Sequence, residues 1–257
     1  IPRPAAGGEA WPGPRTKESG MNRTRVAVVG CGHLGSIHAR LLAARDDARL
    51  VAVVDPSPEA RRRVADAHGC RDLAEPGELV GSVDAVVVAA PTALHAAVSL
   101  PLIESGVDLL IEKPITSDVA AGRRIDEAAR RAGRIVAVGH VERFNPAWTA
   151  AAGRCGRVLA VEAARLAPFT FRSLDVGVVL DLMIHDIDLV LSLEPGTLER
   201  VEAHGIVATG GHEDAARARL VFASGLVADL SASRIHPTLT RCVSLWGSRG
   251  VVSANST

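Results

Sequence analysis

The sequence predicts an α/β protein, with a doubly wound parallel sheet followed by an α+β domain whose open sheet is mostly antiparallel. Two observations carry this prediction. Up to about residue 141, unbroken apolar runs rich in Val and Ile alternate with helix-like segments, as in parallel sheets that are covered on both faces. After about residue 145, the runs alternate apolar and polar residues, as in strands with one covered face.

The first half of the chain contains the predicted parallel sheet. Its strand-like runs are separated by helix-like segments, so neighbouring strands have room for crossover connections. The predicted strands cover 25–30, 50–55, 84–90, 107–112 and 134–141, and the predicted helices cover 33–45, 58–68, 94–105 and 117–132.

The second half begins with a predicted helix over 176–193 and continues with strand-like runs. These runs are ERVEAHGIVA, ARARLVFAS, LVADLSASRI and RCVSLWG. The sequence ends at GVVSANST, just after a strand-like segment and without a closing helix, which predicts an incomplete C-terminal domain. We therefore predict a disordered extension rich in Pro and Gly over 1–21, a dinucleotide-binding domain over 22–141, and a substrate-binding and oligomerisation domain over 142–257.

The composition excludes several classes of function. The 257 residues carry no formal net charge, so nothing predicts capture of nucleic acid or of an anionic membrane surface. The longest uncharged run, 85–103, contains Pro91, His95 and Pro101 and is predicted as strand, loop and helix rather than a membrane span. The four cysteines lack metal-site or CxxC spacing, and no signal peptide is evident, which indicates a cytoplasmic protein.

The segment GCGHLG lies between the first predicted strand and the first predicted helix. Its glycines, Gly30, Gly32 and Gly35, match the GxGxxG pattern that lets a pyrophosphate approach the backbone at a helix N-terminus. Asp55 ends the second strand 20 residues after Gly35, where a carboxylate accepts hydrogen bonds from ribose hydroxyls. The pattern favours NAD over NADP, because Asp55 would repel a 2′-phosphate. The alternative is a purely structural turn, and the arginines at 61–63 are predicted as a solvated helix face.

Lys113 follows the fourth predicted strand in the segment LLIEKPIT. Lys17 and Lys113 are the only lysines among 29 basic residues. Ligands of doubly wound sheets bind beyond the carboxyl ends of the strands, and lysine can exchange a proton where arginine cannot. Lys113 is therefore a candidate catalytic residue. The competing interpretation is a surface lysine that happens to follow a strand.

The segment DVGVVLDLMIHDIDLVL carries a second constellation. Helical spacing predicts a core stripe of Leu180, Ile184, Ile187 and Leu191. It also places Asp181, His185 and Asp188 together on a neighbouring face. Flanking carboxylates would raise the pKa of His185 and suit it to accept a proton from a hydroxyl. One alternative is ordinary helix capping and surface polarity. Another is a metal site, which we do not predict because no further His or Cys of suitable spacing accompanies this cluster.

Taken together, GCGHLG, Asp55, APTALH, IEKP, GHVERFNP and LDLMIHDID resemble the Gfo/Idh/MocA oxidoreductase family from about residue 25 onward. The resemblance implies a Rossmann domain and a C-terminal domain whose open sheet often forms the oligomer interface, hence a homo-oligomer. Within the family, GHVERFNPA joined to DVGVVLDLMIHDIDLVL is most similar to the group that oxidises C3 of UDP-N-acetylglucosamine.

The resemblance also implies roles for individual residues. Lys113 corresponds to the family's EKP lysine, and Asp181 and His185 to its DxxxH pair. Predicted cofactor contacts are Gly30, Cys31, Gly32, His33, Leu34, Gly35, Asp55, Ala90, Pro91, Thr92, His95, Glu112 and Lys113. Predicted substrate contacts are Lys113, Arg143, Asn145, Arg165, Asp181 and His185, with Arg165 or Arg172 as diphosphate ligands. Since the chain has no tyrosine, Lys113 and His185 would carry the proton chemistry.

The resulting hypothesis is NAD-dependent oxidation of a secondary hydroxyl on a sugar nucleotide. His185, oriented by Asp181, would act as general base, and Lys113 would polarise the reacting oxygen; the spacing also allows the reverse assignment. One alternative is a dehydrogenase of a free polyol or monosaccharide such as an inositol. Another is a non-catalytic NAD-binding protein or an inactive fragment.

Overall fold

The computed structural model describes residues 23–170 and 176–255. Within these ranges the chain forms a parallel six-stranded sheet and a second, mostly antiparallel six-stranded sheet, so the predicted fold class is confirmed. The predicted extension over 1–21 and the candidate Arg172 lie outside the described residues.

The first sheet has the strand order β3-β2-β1-β4-β5-β6, with every pair parallel. Val-rich strands fill its interior, and helices cover both faces. The strands are β1 Thr24–Val29, β2 Ala48–Val54, β3 Arg71–Leu73, β4 Ala85–Val88, β5 Asp108–Ile111 and β6 Val136–Val138; the helices are α1 His33–Ala43, α2 Pro58–His68, α3 His95–Glu104 and α4 Val119–Ala132. β3 was not predicted, since three residues give too short a pattern.

The carboxyl ends of the central strands lie side by side. The strand order reverses between β1 and β4, the point where doubly wound sheets bind ligands. Backbone hydrogen bonds continue past the strand ends, from Ala89 to Val29 and from Glu112 to Val88. The glycine loop, the segment after β4 and the EKP segment therefore meet at one edge of the sheet, as the sequence predicts.

The second sheet has the order β12-β11-β7-β10-β9-β8, antiparallel except where β10 pairs with β7. One of its faces packs on two helices and a core of Ala, Val and Leu side chains. The elements are α5 Pro146–Cys155, β7 Val158–Leu166, α6 Ile184–Ser192, β8 Leu198–Ile206, β9 Ala215–Phe222, β10 Val227–Ser233, β11 Thr240–Gly247 and β12 Gly250–Asn255.

Two elements of the second half, α5 and β7, were not predicted. The side chain of Asn145 caps α5 and Pro146 occupies its first turn, which are ordinary helix-start signals. The following residues, AWTAAAG, show no clear apolar period, because Ala fills most positions. β7 is similarly rich in Ala, which is depleted in strands.

The predicted helix over 176–193 is interrupted by a π-turn at Val179–Met183, before α6 begins. A π-turn adds a residue to the helical turn and shifts the faces that follow. The predicted core stripe is therefore wrong at Leu191, which is 49% exposed, whereas Ile187 packs against the core. The buried side chains are instead those of Met183, Leu189 and Val190.

The tryptophans of the described ranges both lie in the second half of the chain. Trp148 on α5 is buried in the core of the covered face. Trp246 on β11 is 37% exposed and lies on the open face beside the ion pair of Arg219 and Asp229. Among residues 23–170 and 176–255, no helix has the length and apolarity needed to cross a bilayer.

Candidate active site

The glycine loop has the shape that a dinucleotide requires. Gly30 has φ +98°, and a Cβ atom there would lie 2.5 Å from the carbonyl oxygen of Ala89. At Gly35 a Cβ would lie 1.7 Å from the Gly30 carbonyl oxygen, so this glycine permits α1 to pack on the loop. Gly32, in contrast, is exposed, and no atom lies within 4 Å of the position that a Cβ would take, so its outer side is open. No side chain caps α1, whose N-terminus faces the same side.

Asp55 is held firmly beside this loop. Its Oδ2 accepts a 2.8 Å hydrogen bond from the Cys31 N–H, and its Oδ1 accepts one of 2.8 Å from the Ser57 N–H. Both bonds keep a half-buried carboxylate at the end of β2, as recognition of a ribose requires. The loop, the helix N-terminus and the acid together fit NAD.

Within the loop, the predicted contacts divide by exposure. His33 and Leu34 are exposed beside Gly32, whereas the Cys31 side chain is fully buried. Burial, and secondarily the charge of Asp55, raise the pKa of the Cys31 thiol to about 12. Only the backbone of Cys31 is therefore placed to meet a cofactor.

The predicted solvated face of α2 is wrong for Arg61, which is half-buried, whereas Arg63 is exposed and also contacts the protein. Arg61 donates hydrogen bonds of 3.2 Å to the carbonyl oxygens of Asp55 and Pro56, and Arg63 donates one of 3.0 Å to the carbonyl oxygen of Cys31. Arg61 thus stabilises the loop after β2, and Arg63 stabilises the loop after β1. Arg62 is exposed, as predicted.

The segment after β4 brings Ala90, Pro91 and Thr92 to the sheet edge, partly or fully exposed. His95 differs from its prediction, because its side chain is 1% exposed and faces the protein. Its Nε2 lies 2.8 Å from the carbonyl oxygen of Ala90, and its Nδ1 lies 3.0 Å from that of Pro114. His95 thus links the segments after β4 and β5 from the buried side, and its ring does not face the open edge where the cofactor would bind.

Lys113 reaches across to the second half of the chain. Its Nζ donates to the Asp181 carboxylate at 3.0 Å and to the Asp181 carbonyl oxygen at 2.8 Å. The lysine and aspartate side chains are 18% and 24% exposed, respectively. Lys113 is therefore not a surface lysine. Its partner Asp181 lies on the π-turn, and π-turns are often found at functional sites.

His185 lies one turn further along and has an unusual electrostatic environment. Burial and the positive charges of Lys113 and Arg165 lower its pKa to about 3, so the predicted rise is wrong. Flanking carboxylates do not raise it, because Asp181 pairs with Lys113 and Asp186 pairs with Arg165. The imidazole is neutral at ordinary pH.

A second histidine, His140, follows β6 and belongs to the same cluster. Burial lowers its pKa, while Asp188, 3.9 Å from its Nε2, opposes that shift. The Nδ1 atoms of His140 and His185 are buried and have no hydrogen-bond partner among the described residues. Buried polar atoms are nearly always paired, so two orphaned nitrogens beside Lys113 fit a site that binds hydroxyl groups.

Three other predicted substrate residues have protein partners. Arg143 forms a two-point pair with Asp188, with both distances 2.6 Å. Asn145 caps α5 by accepting a hydrogen bond from the Ala147 N–H. The guanidinium of Arg165 is 8% exposed and pairs with Asp186, which argues against its predicted contact with a diphosphate.

Sequence reasoning missed His38 and His140. His140 follows the last parallel strand, and the same strand-end argument that selected Lys113 could have found it. His38 lies within α1, and its Nε2 is 2.6 Å from Glu112 Oε1. No sequence signal links these two residues, which are 74 positions apart.

Comparisons with known proteins agree with this geometry. Residues 24–140 match the family described as "Oxidoreductase family, NAD-binding Rossmann fold", and residues 149–253 match the "GFO/IDH/MocA C-terminal domain". UDP-N-acetylglucosamine 3-dehydrogenase of Acidithiobacillus ferrooxidans is 39% identical over 217 residues, which cover 84% of this chain and 68% of that protein. A solved structure of that enzyme aligns with a TM-score of 0.83 over 89% of this chain and 75% of that one.

Two further relatives carry other names. scyllo-Inositol 2-dehydrogenase (NAD(+)) of Bacillus subtilis (strain 168) is 30% identical over 235 residues, covering 84% of this chain and 69% of that protein. GenD2 from gentamicin A biosynthesis, solved in complex with NAD, is 28% identical and aligns with a TM-score of 0.83 over 93% of this chain and 74% of that one.

Proposed function

The chain belongs to the Gfo/Idh/MocA family and is an NAD-binding dehydrogenase, and from this premise we propose that it oxidises a secondary hydroxyl of a sugar nucleotide. The proposed substrate is UDP-N-acetylglucosamine, oxidised at C3 to the 3-keto sugar. The observation that carries the proposal is the cluster of Lys113, Asp181 and His185 at the sheet edge, in a chain 39% identical to an enzyme named for that reaction.

The cofactor half of the site supplies binding and orientation. Gly30, Gly32 and Gly35 with the N-terminus of α1 would hold the pyrophosphate, and Asp55 the adenosine ribose. Pro91 and Thr92 line the edge at which the nicotinamide would lie. Bound NAD supplies the acceptor for the hydride that leaves the substrate carbon.

The proton chemistry is assigned to two side chains. In the proposed step the C–H bond breaks as hydride departs, the C=O bond forms, and the hydroxyl proton leaves for the protein. Neutral His185 accepts that proton, and Lys113 donates a hydrogen bond to the reacting oxygen. Asp181 holds the ammonium of Lys113 in place. Burial and nearby positive charge disfavour the imidazolium, so the ring is present in the neutral form that can accept a proton.

A pH profile separates this assignment from the reverse one. If neutral His185 is the base, kcat shows no acid limb near the ordinary histidine pKa, since the ring stays neutral down to about pH 3. If Lys113 is the base, kcat rises with pH, because the amine must first lose its proton.

The direct test is NADH formation with UDP-N-acetylglucosamine. Lys113→Ala and His185→Ala variants that still bind NAD should lose turnover. Full turnover in both variants would disprove the assignment.

A second candidate substrate is a free polyol, favoured by the 30% identity to an inositol dehydrogenase. One observation favours a free polyol. Arg165 is buried in an ion pair with Asp186 and is not placed to bind a diphosphate. A panel of UDP-sugars, free sugars and inositols decides between the two: the substrate with the higher kcat/KM identifies the class.

We also propose that copies of the chain associate through the open face of the second sheet in a reducing, cytoplasmic setting. Supporting observations are the exposed Trp246 beside the Arg219–Asp229 pair, and four free thiols. Light scattering of the intact protein and of a Trp246→Glu variant tests the association. An unchanged mass would count against this face.

A further inference from the structure

Glu112 is a buried carboxylate for which the proposed chemistry has no use. The residue is 8% exposed. Its Oε1 lies 2.6 Å from His38 Nε2, and its Oε2 accepts a 3.1 Å hydrogen bond from the backbone N–H of Lys113. Both carboxylate oxygens therefore face the protein, although the family resemblance implies a contact with the nicotinamide side.

Gly139, just after β6, also packs against this carboxylate. A Cβ atom at Gly139 would lie 2.9 Å from Oε2 and 3.1 Å from the carboxyl carbon of Glu112. Real Cβ atoms do not approach that closely, so the missing side chain makes room for Glu112. The carboxylate thus connects three elements: α1 through His38, the turn after β5 through Lys113, and the end of β6 through Gly139.

The charge on Glu112 depends on His38. Burial alone would raise the pKa of Glu112, but the hydrogen bond and charge of His38, followed by the N–H and charge of Lys113, hold that pKa below its usual value. His140 is also close to this carboxylate, and the charge of Glu112 partly opposes the lowering of the His140 pKa by burial. Without His38, burial would dominate and Glu112 would take up a proton more readily.

We infer that His38 is a positioning residue, which acts through Glu112 to fix the turn that carries Lys113 and to link that turn to the glycine-loop helix. The inference rests on the proposed role of Lys113. It explains why a histidine inside α1 points at the EKP segment, and it connects the dinucleotide site to the ammonium that meets the substrate. Loss of His38 should therefore lower kcat more than it weakens NAD binding.

The first test does not need a substrate. The chain has two lysines, so ¹⁵N-lysine labelling yields two backbone amide signals, which a Lys17→Arg variant assigns. The Lys113 amide donates to Glu112, and its chemical shift should report the titration of that carboxylate. His38→Leu should move the midpoint upward by about one to three pH units. His38→Gln, which keeps an N–H donor, should restore it, and His204→Ala on the exposed strand β8 should leave it unchanged.

The second test is kinetic. With the substrate identified, His38→Leu should lower kcat by about 10-fold to 100-fold, while the dissociation constant for NAD changes by less than about threefold. An acid limb of kcat should appear in His38→Leu at the raised amide midpoint, and His38→Gln should reverse both effects. If His38 were purely structural, its loss would not shift the titration midpoint of Glu112 in a way that His38→Gln reverses.

The outcomes are separable. If the wild-type protein turns over no sugar or polyol, the proposed function fails, and the amide titration still decides the role of His38. If His38→Leu does not fold, Gly139→Ala disturbs the same carboxylate from the opposite side and should raise the same midpoint. An unchanged midpoint in the folded variant, or a kcat within twofold of wild type, would overturn the inference.

Discussion

Lys113 binds Asp181 through two acceptors at once, the carboxylate at 3.0 Å and the backbone carbonyl oxygen at 2.8 Å. An ammonium has three donors, so one remains for a substrate oxygen. The pair also joins the turn after β5 to the π-turn, and thereby the first half of the chain to the second. The candidate site is thus built by both halves of the chain.

Arginine should not replace Lys113. The planar guanidinium is larger and cannot place a donor where the compact ammonium meets the reacting oxygen, so Lys113→Arg should lower kcat by about 100-fold or more while NAD still binds. Stopped-flow or steady-state NADH formation gives kcat, and calorimetric titration gives the NAD affinity. Lys17→Arg is the matched control and should behave as wild type. An arginine enzyme with full turnover would remove Lys113 from the chemistry.

Two glycines of one motif should respond differently to alanine. Gly35→Ala places a Cβ 1.7 Å from the Gly30 carbonyl oxygen, so the loop must shift and the thermal midpoint should fall. Gly32→Ala meets no atom within 4 Å, so stability should stay unchanged while NAD affinity drops by about 10-fold or more as the methyl group fills the pyrophosphate position. Thermal unfolding with and without NAD measures both effects. Equal loss of stability in the two variants would contradict this interpretation of the loop.

His185 should make the fold sensitive to mild acid. Its pKa is about 3 in the folded protein, against 6.5 for an ordinary histidine. Between these values the unfolded chain binds a proton that the folded chain does not, so the free energy of unfolding falls as pH drops from about 6.5.

Urea unfolding at pH 7 and pH 5 measures this effect. The decrease in unfolding free energy should be smaller by about 1–2 kcal/mol in His185→Asn than in wild type. His204→Asn, at an exposed position, should keep the wild-type dependence. Identical pH dependence in all three proteins would show that His185 titrates normally.

The buried pair of Arg165 and Asp186 should act as a structural unit. Their side chains are 8% and 2% exposed, and burial already raises the pKa of Asp186 against the opposing effect of Arg165. Arg165→Met would leave that carboxyl unpaired and should cost about 3 kcal/mol of unfolding free energy. The double variant Arg165→Met, Asp186→Leu should recover much of the loss. If the single variant is stable but loses kcat/KM for UDP-sugars alone, Arg165 binds substrate after all.

The parallel sheet and the position of the site at its edge followed from local patterns. Apolar runs predicted the parallel strands, and the strand-end rule placed Gly30, Asp55 and Lys113 together because parallel strands end at one edge. The environment of His185 could not be predicted this way. Its pKa depends on burial and on Lys113 and Arg165, which approach from distant elements. The same limit applies to His95, whose sequence position indicates the sheet edge but not that its ring faces inward.

The placement of the aromatic residues has a spectroscopic consequence. The chain has no tyrosine, and its tryptophans in the described ranges, Trp148 on α5 and Trp246 on β11, both lie in the second half. In a Trp11→Phe variant, intrinsic fluorescence therefore follows the second half of the chain, while fluorescence of bound NADH follows the first. Recording the two signals during one denaturant titration would reveal whether the halves that share the Lys113–Asp181 pair unfold together or in sequence.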